Sequence, residues 1–441
     1  MELASLTATE LLRGYADRTL SPVQVTEAVV ARVEAREPEL CATYAFDPER
    51  ALAAARAAEE RWQRGEPAGR LDGVPVMLKE NIATAGTPMP LGTAAIDPAP
   101  APANAPVADR LATSGAVLLG KTTMPDLGML TSGLSSFHPL TRNPWDLRRN
   151  PGGSSAGAAA GVAAGYGPLH AGTDIGGSIR LPAAWCGIVG FKASFGRVPV
   201  DPPYLGRHVG PMTRSVADVA LMSEVLAGPD PRDHMSLPPQ PIAWPDLDRP
   251  LSGLRVGLHL DAGVGLAVEP EIAGAVRAAA GLFEQAGAHV EPMGPFLTRE
   301  NLDGLDQFWR VRAWSDLLAK PQAARERALP YILRWAAAGA GVSGVDTYRG
   351  FAQIDAMSAA AVRACEPYDV VLSPVCPVGP PQAEWASPLN DPERPFEHIA
   401  FTLPYNMSGQ PAISVNCGYG SDGMPIGLQI VGRRFADLDV L

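Results

Sequence analysis

Strands that alternate with helices along the chain predict an α/β sandwich. Three observations carry that reading: short apolar runs of strand length, longer segments with helix-start signals between them, and proline- and glycine-rich breaks that separate the two. In chain order, Ser21-Pro22-Val23-Gln24 reads as a capping box with proline at the first helical position, opening a helix to about Glu37. An alanine-rich helix follows over 48–64. Residues 73–77 and 116–119 read as short buried strands, and the Pro/Ala/Gly segment 84–105 between them as loop. Further strands are expected at 187–192, 254–260, 369–373, 412–416 and 427–431, and helices at 155–165, 215–226 and 270–286. The stretch 229–250 holds seven prolines and no periodicity, so it reads as a surface linker. Residues 300–361 read as helical and hold Trp309, Trp314, Tyr331 and Trp335. No internal repeat is found.

The 441 residues are 46% hydrophobic and 19% charged, enough for a sizeable core in one large unit or in two or three. The net charge of −11 argues against nucleic acid as a partner, because neutralising phosphates needs a basic surface. The first residues lack a basic and then apolar leader, and no apolar run is long enough to cross a bilayer, so neither a signal peptide nor a membrane partner is expected. Cys41, Cys186, Cys365, Cys376 and Cys417 are scattered, odd in number and without a C-x-x-C pair, which points to reduced thiols and a cytoplasmic location. The seven histidines show no H-E-x-x-H or H-x-H spacing, so neither a metal nor another cofactor is expected.

Two glycine clusters stand out, 151–157 and 172–180. Glycine costs backbone entropy, so a cluster marks either plain turns or backbone that must approach a ligand with its N–H groups exposed. The second cluster ends in Gly176-Gly177-Ser178, which sets a hydroxyl beside unhindered N–H groups. Acyl transfer needs that combination, a nucleophile and an oxyanion hole in one turn. A serine also needs a base. His170, at the end of an expected strand, has no motif around it and reads as structural. Lys79 follows the apolar run Val74-Pro75-Val76-Met77-Leu78, and such a lysine either snorkels to water or sits desolvated as a neutral base.

Lys79, Gly152-Gly153-Ser154-Ser155 and Gly172 to Arg180 together resemble the amidase-signature family, in order and in spacing. Lys79 and Ser154 are 75 residues apart. Flanking text agrees: Thr141 to Asp146, Pro182-Ala183-Ala184, Cys186-Gly187, Gly210-Pro211-Met212 and Gly409 to Ala412. The resemblance runs from about residue 5 to the end. It implies a single domain over 1–441, a three-layer α/β/α sandwich around a mixed sheet. It implies hydrolysis of a small-molecule amide by a Ser–cis-Ser–Lys triad. Ser178 is then the nucleophile, Ser154 (after a cis peptide bond) the proton relay and Lys79 the base. The backbone N–H groups of Ile175, Gly176, Gly177 and Ser178 are the expected oxyanion hole. Asp174 and Arg180 are expected to brace that turn as an ion pair, with Thr173 and Ser155 in support. Two departures are visible: Ala156-Gly157 stands where many relatives have Gly-Gly, and relatives commonly continue with a further helix after text like Val431 to Phe435. Some family members are glutaminase-type components of a tRNA-dependent amidotransferase, but the text Thr402 to Gly409 is more similar to stand-alone amidases. The sequence also allows a homodimer.

Two literal motif matches compete. Gly153-Ser154-Ser155-Ala156-Gly157 fits G-x-S-x-G, the elbow of α/β-hydrolase esterases, which would make Ser155 the nucleophile; the polar, proline-broken residues before it do not read as the strand an elbow needs. Gly115 to Thr122 fits a phosphate-binding loop, but its four middle residues are apolar and read as the strand itself. Substrate choice falls to the expected pocket walls 88–93, 124–137, 204–208 and the helical segment 300–361. Their aromatics imply an apolar or aryl amide or carbamate, or else merely pack helices.

Overall fold

The computed structural model describes residues 2–441. Eleven strands form one mixed sheet. In chain order they are β1 (Thr43–Tyr44), β2 (Pro75–Lys79), β3 (Val117–Thr122), β4 (Leu169–Asp174), β5 (Val189–Lys192), β6 (His208–Thr213), β7 (Arg255–Leu258), β8 (His289–Pro292), β9 (Val370–Pro374), β10 (Ala412–Tyr419) and β11 (Pro425–Gly432). Across the sheet they run β1-β3-β2-β4-β6-β5-β10-β11-β9-β7-β8. β3, β2 and β4 are parallel, as are β9, β7 and β8. The strands between these two wings pair antiparallel. Helices and the sheet form the expected α/β sandwich. Parallel strands are covered on both faces, which is why β2 and β9 are buried at every position and read as apolar runs up to Lys79 and Ser373.

The expected strands are all present, with shifted ends. β2 and β3 run on to Lys79 and Thr122, whereas 254–260 shrinks to β7. β1, β6 and β8 were not expected, and His170 is the second residue of β4 rather than the end of a strand. β4 and β6 each mix glycine and histidine, and β6 a proline, with few β-branched residues, so their local preference is weak. Burial among neighbouring strands makes them strands.

The first long helix is Pro22–Leu40. Ser21 accepts from the N–H groups of Val23 and Gln24, but its hydroxyl donates to Glu59 and Gln24 does not close the box. The helix runs past Glu37, through Pro38, to a left-handed cap at Cys41. The segment 229–250 is free of helix and strand, as expected, yet it is pinned down. The Leu237 N–H donates to the Gly196 carbonyl at 2.8 Å, and buried Trp244 packs on Phe191 of β5. Helices in and around 300–361 are Arg299–Leu318, Gln322–Arg325, Pro330–Ala337 and Gly344–Cys365. Of the residues that imitate a phosphate loop, Val117 to Thr122 are β3 itself, and Lys121 is buried, donating to Thr84 Oγ1 at 2.9 Å and to the Ile82 carbonyl.

The packing gives a direct expectation. Leu372 on β9 is fully buried, so Leu372→Ala should cost about 2–5 kcal/mol in chemical denaturation. Leu282→Ala, at a side chain 63% exposed, should stay within about 0.5 kcal/mol. Equal losses at both positions would contradict this packing.

Candidate active site

β2 and β4 lie side by side and parallel, with Leu78 opposite Ala171, so Lys79 and the Thr173-Asp174 end of β4 emerge together. Ligands of parallel sheets collect at such carboxyl ends. The loop 150–155 arrives from the side and brings Ser154 between them. A Cβ on Gly153 would stand 2.6 Å from the Ser132 nitrogen and 2.7 Å from its oxygen, so only glycine fits there. The Gly153–Ser154 peptide is cis, as the resemblance implied.

Lys79 is fully buried. Its Nζ lies 2.8 Å from Ser154 Oγ and 2.8 Å from Thr173 Oγ1. Thr173 Oγ1 also accepts from Asn81 Nδ2 at 3.2 Å, so both its lone pairs are taken and it orients the amine. Burial pulls the Lys79 amine down to about 7, against the opposing pull of Asp174 and Glu80. Both carboxylates are engaged elsewhere. Glu80 accepts from the N–H groups of Leu91 and Gly92 and pairs with His138 at 2.7 Å.

Asp174 and Arg180 form the expected ion pair, buried at both ends. Burial opposes ionisation of Asp174, but Arg180 and hydrogen bonds from Asn406 and the Ile179 N–H outweigh it and hold the carboxyl below the usual range. Arg180 also donates to the Thr402 carbonyl, Gln429 Oε1 and Asn406 Oδ1 at 3.0, 2.7 and 2.6 Å. The turn 175–178 is thereby fixed at both ends. Gly177 has φ +124°, and a Cβ there would meet Thr402 Oγ1 at 2.5 Å. Of the four N–H groups expected to hold an oxyanion, one is engaged by the protein. The Gly177 N–H donates to Asp174 Oδ1 at 2.8 Å and so is not free for an oxyanion. The N–H groups of Ile175, Gly176 and Ser178 have no partner among the described residues.

Ser155, fully buried, does not face the cavity. Its hydroxyl donates to the Thr173 carbonyl and accepts the Thr173 N–H, both at 3.2 Å, while its own N–H donates to the Ser178 carbonyl at 3.3 Å. His170 is buried with Nε2 on the Tyr166 carbonyl, and burial lowers it to about 4.

Ser178 stands where two arms of one cavity meet. The first arm is walled by Leu130, Leu181, Trp309, Phe396 and Ile399. The second holds Asn81, Ser154, Thr173, Arg207 and Arg312. Of the expected walls, 127–131 and Arg207 line the cavity, whereas 88–93 stands behind it on Glu80. The aromatics of the helical segment divide. Trp309 reaches the cavity, while Trp335 packs edge-on to Phe396 and donates to Asp306, and Tyr331 donates to the Asp391 carbonyl. Sequence reasoning missed Asn81, Arg312, Phe396, Ile399, Thr402 and Asn406; Asn81, two residues after Lys79, was the one with a local signal.

A mixed sheet that sets a cis-linked serine and a glycine-flanked serine on one cavity, with a buried lysine behind the first, defines the class: an amide-hydrolysing enzyme of the amidase-signature type. The family model described as Amidase matches residues 24–441, and the chain belongs to the amidase family. It is 34% identical, over all of this chain and 95% of the relative, to a subunit of the glutamyl-tRNA(Gln) amidotransferase of Chloroflexus aggregans. It is also 34% identical, over 99% of this chain and 93% of the relative, to an acylamidase of Rhodococcus erythropolis. Among solved structures, a bacterial aryl acylamidase of the amidase signature family superposes with a TM-score of 0.90 at 31% identity, covering 99% of this chain and 94% of the other.

Arg180 and Asp174 have no exposure, and their hydrogen bonds converge on the turn. Arg180→Met should therefore destabilise the protein by about 3–5 kcal/mol, because it leaves a carboxylate buried without its cation. A loss under about 1 kcal/mol in chemical denaturation would show that the pair does not hold the turn.

Proposed function

We propose that Ser178 is the nucleophile of this amide hydrolase, with Ser154 as proton relay and Lys79 as base. The observation that carries the reading is the 2.8 Å contact of a buried, easily deprotonated Lys79 amine with Ser154 Oγ. Ser178 Oγ attacks the amide carbon and passes its proton to Ser154, whose own proton goes to Lys79. The tetrahedral oxyanion lies against the free N–H groups of Ile175, Gly176 and Ser178. The proton then returns through Ser154 to the leaving nitrogen, the C–N bond breaks, and water hydrolyses the acyl-enzyme. Thr173 positions the amine, while Asp174, Arg180 and Ser155 position the turn. A hydroxyl suits the relay because it donates and accepts at once.

The proposed substrate is an amide or carbamate with an apolar or aryl group, supported by Trp309, Phe396 and Ile399 around the first arm and by the likeness to an aryl acylamidase. The chain is proposed to work as one domain, with 300–361 supplying part of the substrate wall through Trp309 and Arg312. Five unpaired thiols support a cytoplasmic location. The net charge of −11 supports the absence of a nucleic-acid partner. No described helix is long and apolar enough to cross a membrane. A homodimer is supported by Val345, Tyr348 and Phe351, exposed on one helix. Similarity to a component of a glutamyl-tRNA(Gln) amidotransferase favours a second reading, a partner-dependent glutaminase. Turnover of simple amides by the isolated chain separates the two.

Three measurements test the roles. Fluorophosphonate should label Ser178, and Ser178→Ala should abolish both label and turnover; a label on Ser155 would move the nucleophile to the competing elbow. The base works only as neutral amine, so kcat/KM should rise with pH, reach half its plateau near 7 and fall about tenfold per unit below that. Ser154→Ala should slow acylation by about 10²–10⁴ without erasing the label site. A flat profile from pH 5 to 9 would remove Lys79 from the mechanism.

A further inference from the structure

The second arm of the cavity carries two arginines that no carboxylate among the described residues neutralises. Arg207 and Arg312 flank the Tyr204 ring, with guanidinium carbons 5.4 and 4.8 Å from its centroid. Their polar contacts are sparse. Arg207 donates to the Pro202 carbonyl at 3.2 Å, Arg312 reaches only Met129 Sδ at 3.5 Å, and Arg312 Nε is buried without a partner. Other buried or part-buried arginines are satisfied: Arg180 and Arg197 pair with Asp174 and Asp437, and Arg110 and Arg214 donate to main-chain carbonyls. Two carboxylates lie nearby. Asp174 is committed to Arg180, and Asp316, one helical turn beyond Arg312, is exposed and makes no ion pair with either arginine among the described residues. Burial, and then the neighbouring Arg312, press Arg207 below the usual guanidinium range, yet a guanidinium keeps its charge. A wall built only for packing would not set two like charges beside each other in a cavity. Their fork-shaped donors match a carboxylate.

The chemistry of the relay says which half of the substrate meets them. Ser154 must hand a proton to the leaving nitrogen, and Ser154 lines the same arm as the two arginines. The acyl group then occupies the arm of Trp309, Phe396 and Ile399. We propose that the preferred substrates are amides whose leaving amine carries a carboxylate, that is, N-acylated amino acids with an apolar acyl group, held by Arg207 and Arg312. The inference rests on the assignment of Ser178 and Ser154 made above. The balanced reaction is R–CO–NH–R′–COO⁻ plus water giving R–COO⁻ and ⁺H₃N–R′–COO⁻.

The test compares phenylacetyl amides of glycine, β-alanine and 4-aminobutyrate with the same compounds capped as neutral N-methylamides, on the intact enzyme. At least one free carboxylate should be preferred about tenfold or more in kcat/KM, mostly through KM. The ratio of charged to neutral substrate should fall toward one in Arg312→Gln and in Arg207→Gln. A ratio near one in the unaltered enzyme, or a preference untouched by both substitutions, overturns the inference. A larger gain for anilides of succinate or glutarate, where the carboxylate sits on the acyl half, overturns the placement. Fluorophosphonate labelling runs in parallel. Labelled Ser178 and turnover of neutral amides without carboxylate preference sink this inference alone, whereas no label and no turnover of any amide sink the assigned mechanism and this inference with it.

Discussion

The site depends on one constraint: an amine buried at the end of β2 with no carboxylate free to hold its proton. An unpaired cation in a protein interior costs several kcal/mol, so Lys79 gives up its proton more readily than a lysine in water. Two acids stand close enough to reverse this, and the fold disarms both. Glu80 is engaged by the N–H groups of Leu91 and Gly92 and by His138. Asp174 is engaged by Arg180, Asn406 and the turn 177–179. The same bonds that remove these acids from Lys79 also shape the pocket, since one set pins the loop behind it and the other fixes the turn that carries Ser178.

That double use explains why the surroundings are so polar and yet so buried. Thr173, Ser155, Asn406, Gln429 and Arg180 are all withdrawn from solvent and all hydrogen-bonded. A buried polar network with its partners in place is rigid, and a reaction that develops charge on an oxyanion gains from donors that need not reorganise. The cavity beyond it is divided instead between an apolar arm and a basic one.

Much of this was legible in the chain. The apolar run before Lys79 pointed to a buried strand and raised the question of its charge, and the family resemblance supplied Ser154, which Lys79 contacts, and Ser178, which lines the same cavity as Ser154. The ion pair of Asp174 with Arg180 was expected from their places on either side of the turn. Other parts were hidden for physical reasons. β4 and β6 are strands through burial and not through propensity, so glycine and proline concealed them. Gly177 looked like a free donor because the carboxylate that takes its N–H sits three residues back, a contact set by the turn. Phe396, Ile399 and Asn406 reach the site from the far end of the chain, and Arg312 projects from a helix whose inward face sequence periodicity did not single out.

The central claim is that the Lys79 amine loses its proton near neutral pH. Selective ¹⁵N or ¹³Cε labelling of lysine, with Lys79 assigned through Lys79→Arg, allows its amine to be titrated directly by NMR. The account predicts a midpoint near 7, well below a solvent-exposed lysine. A Lys79 amine that stays protonated to about pH 10 would contradict it.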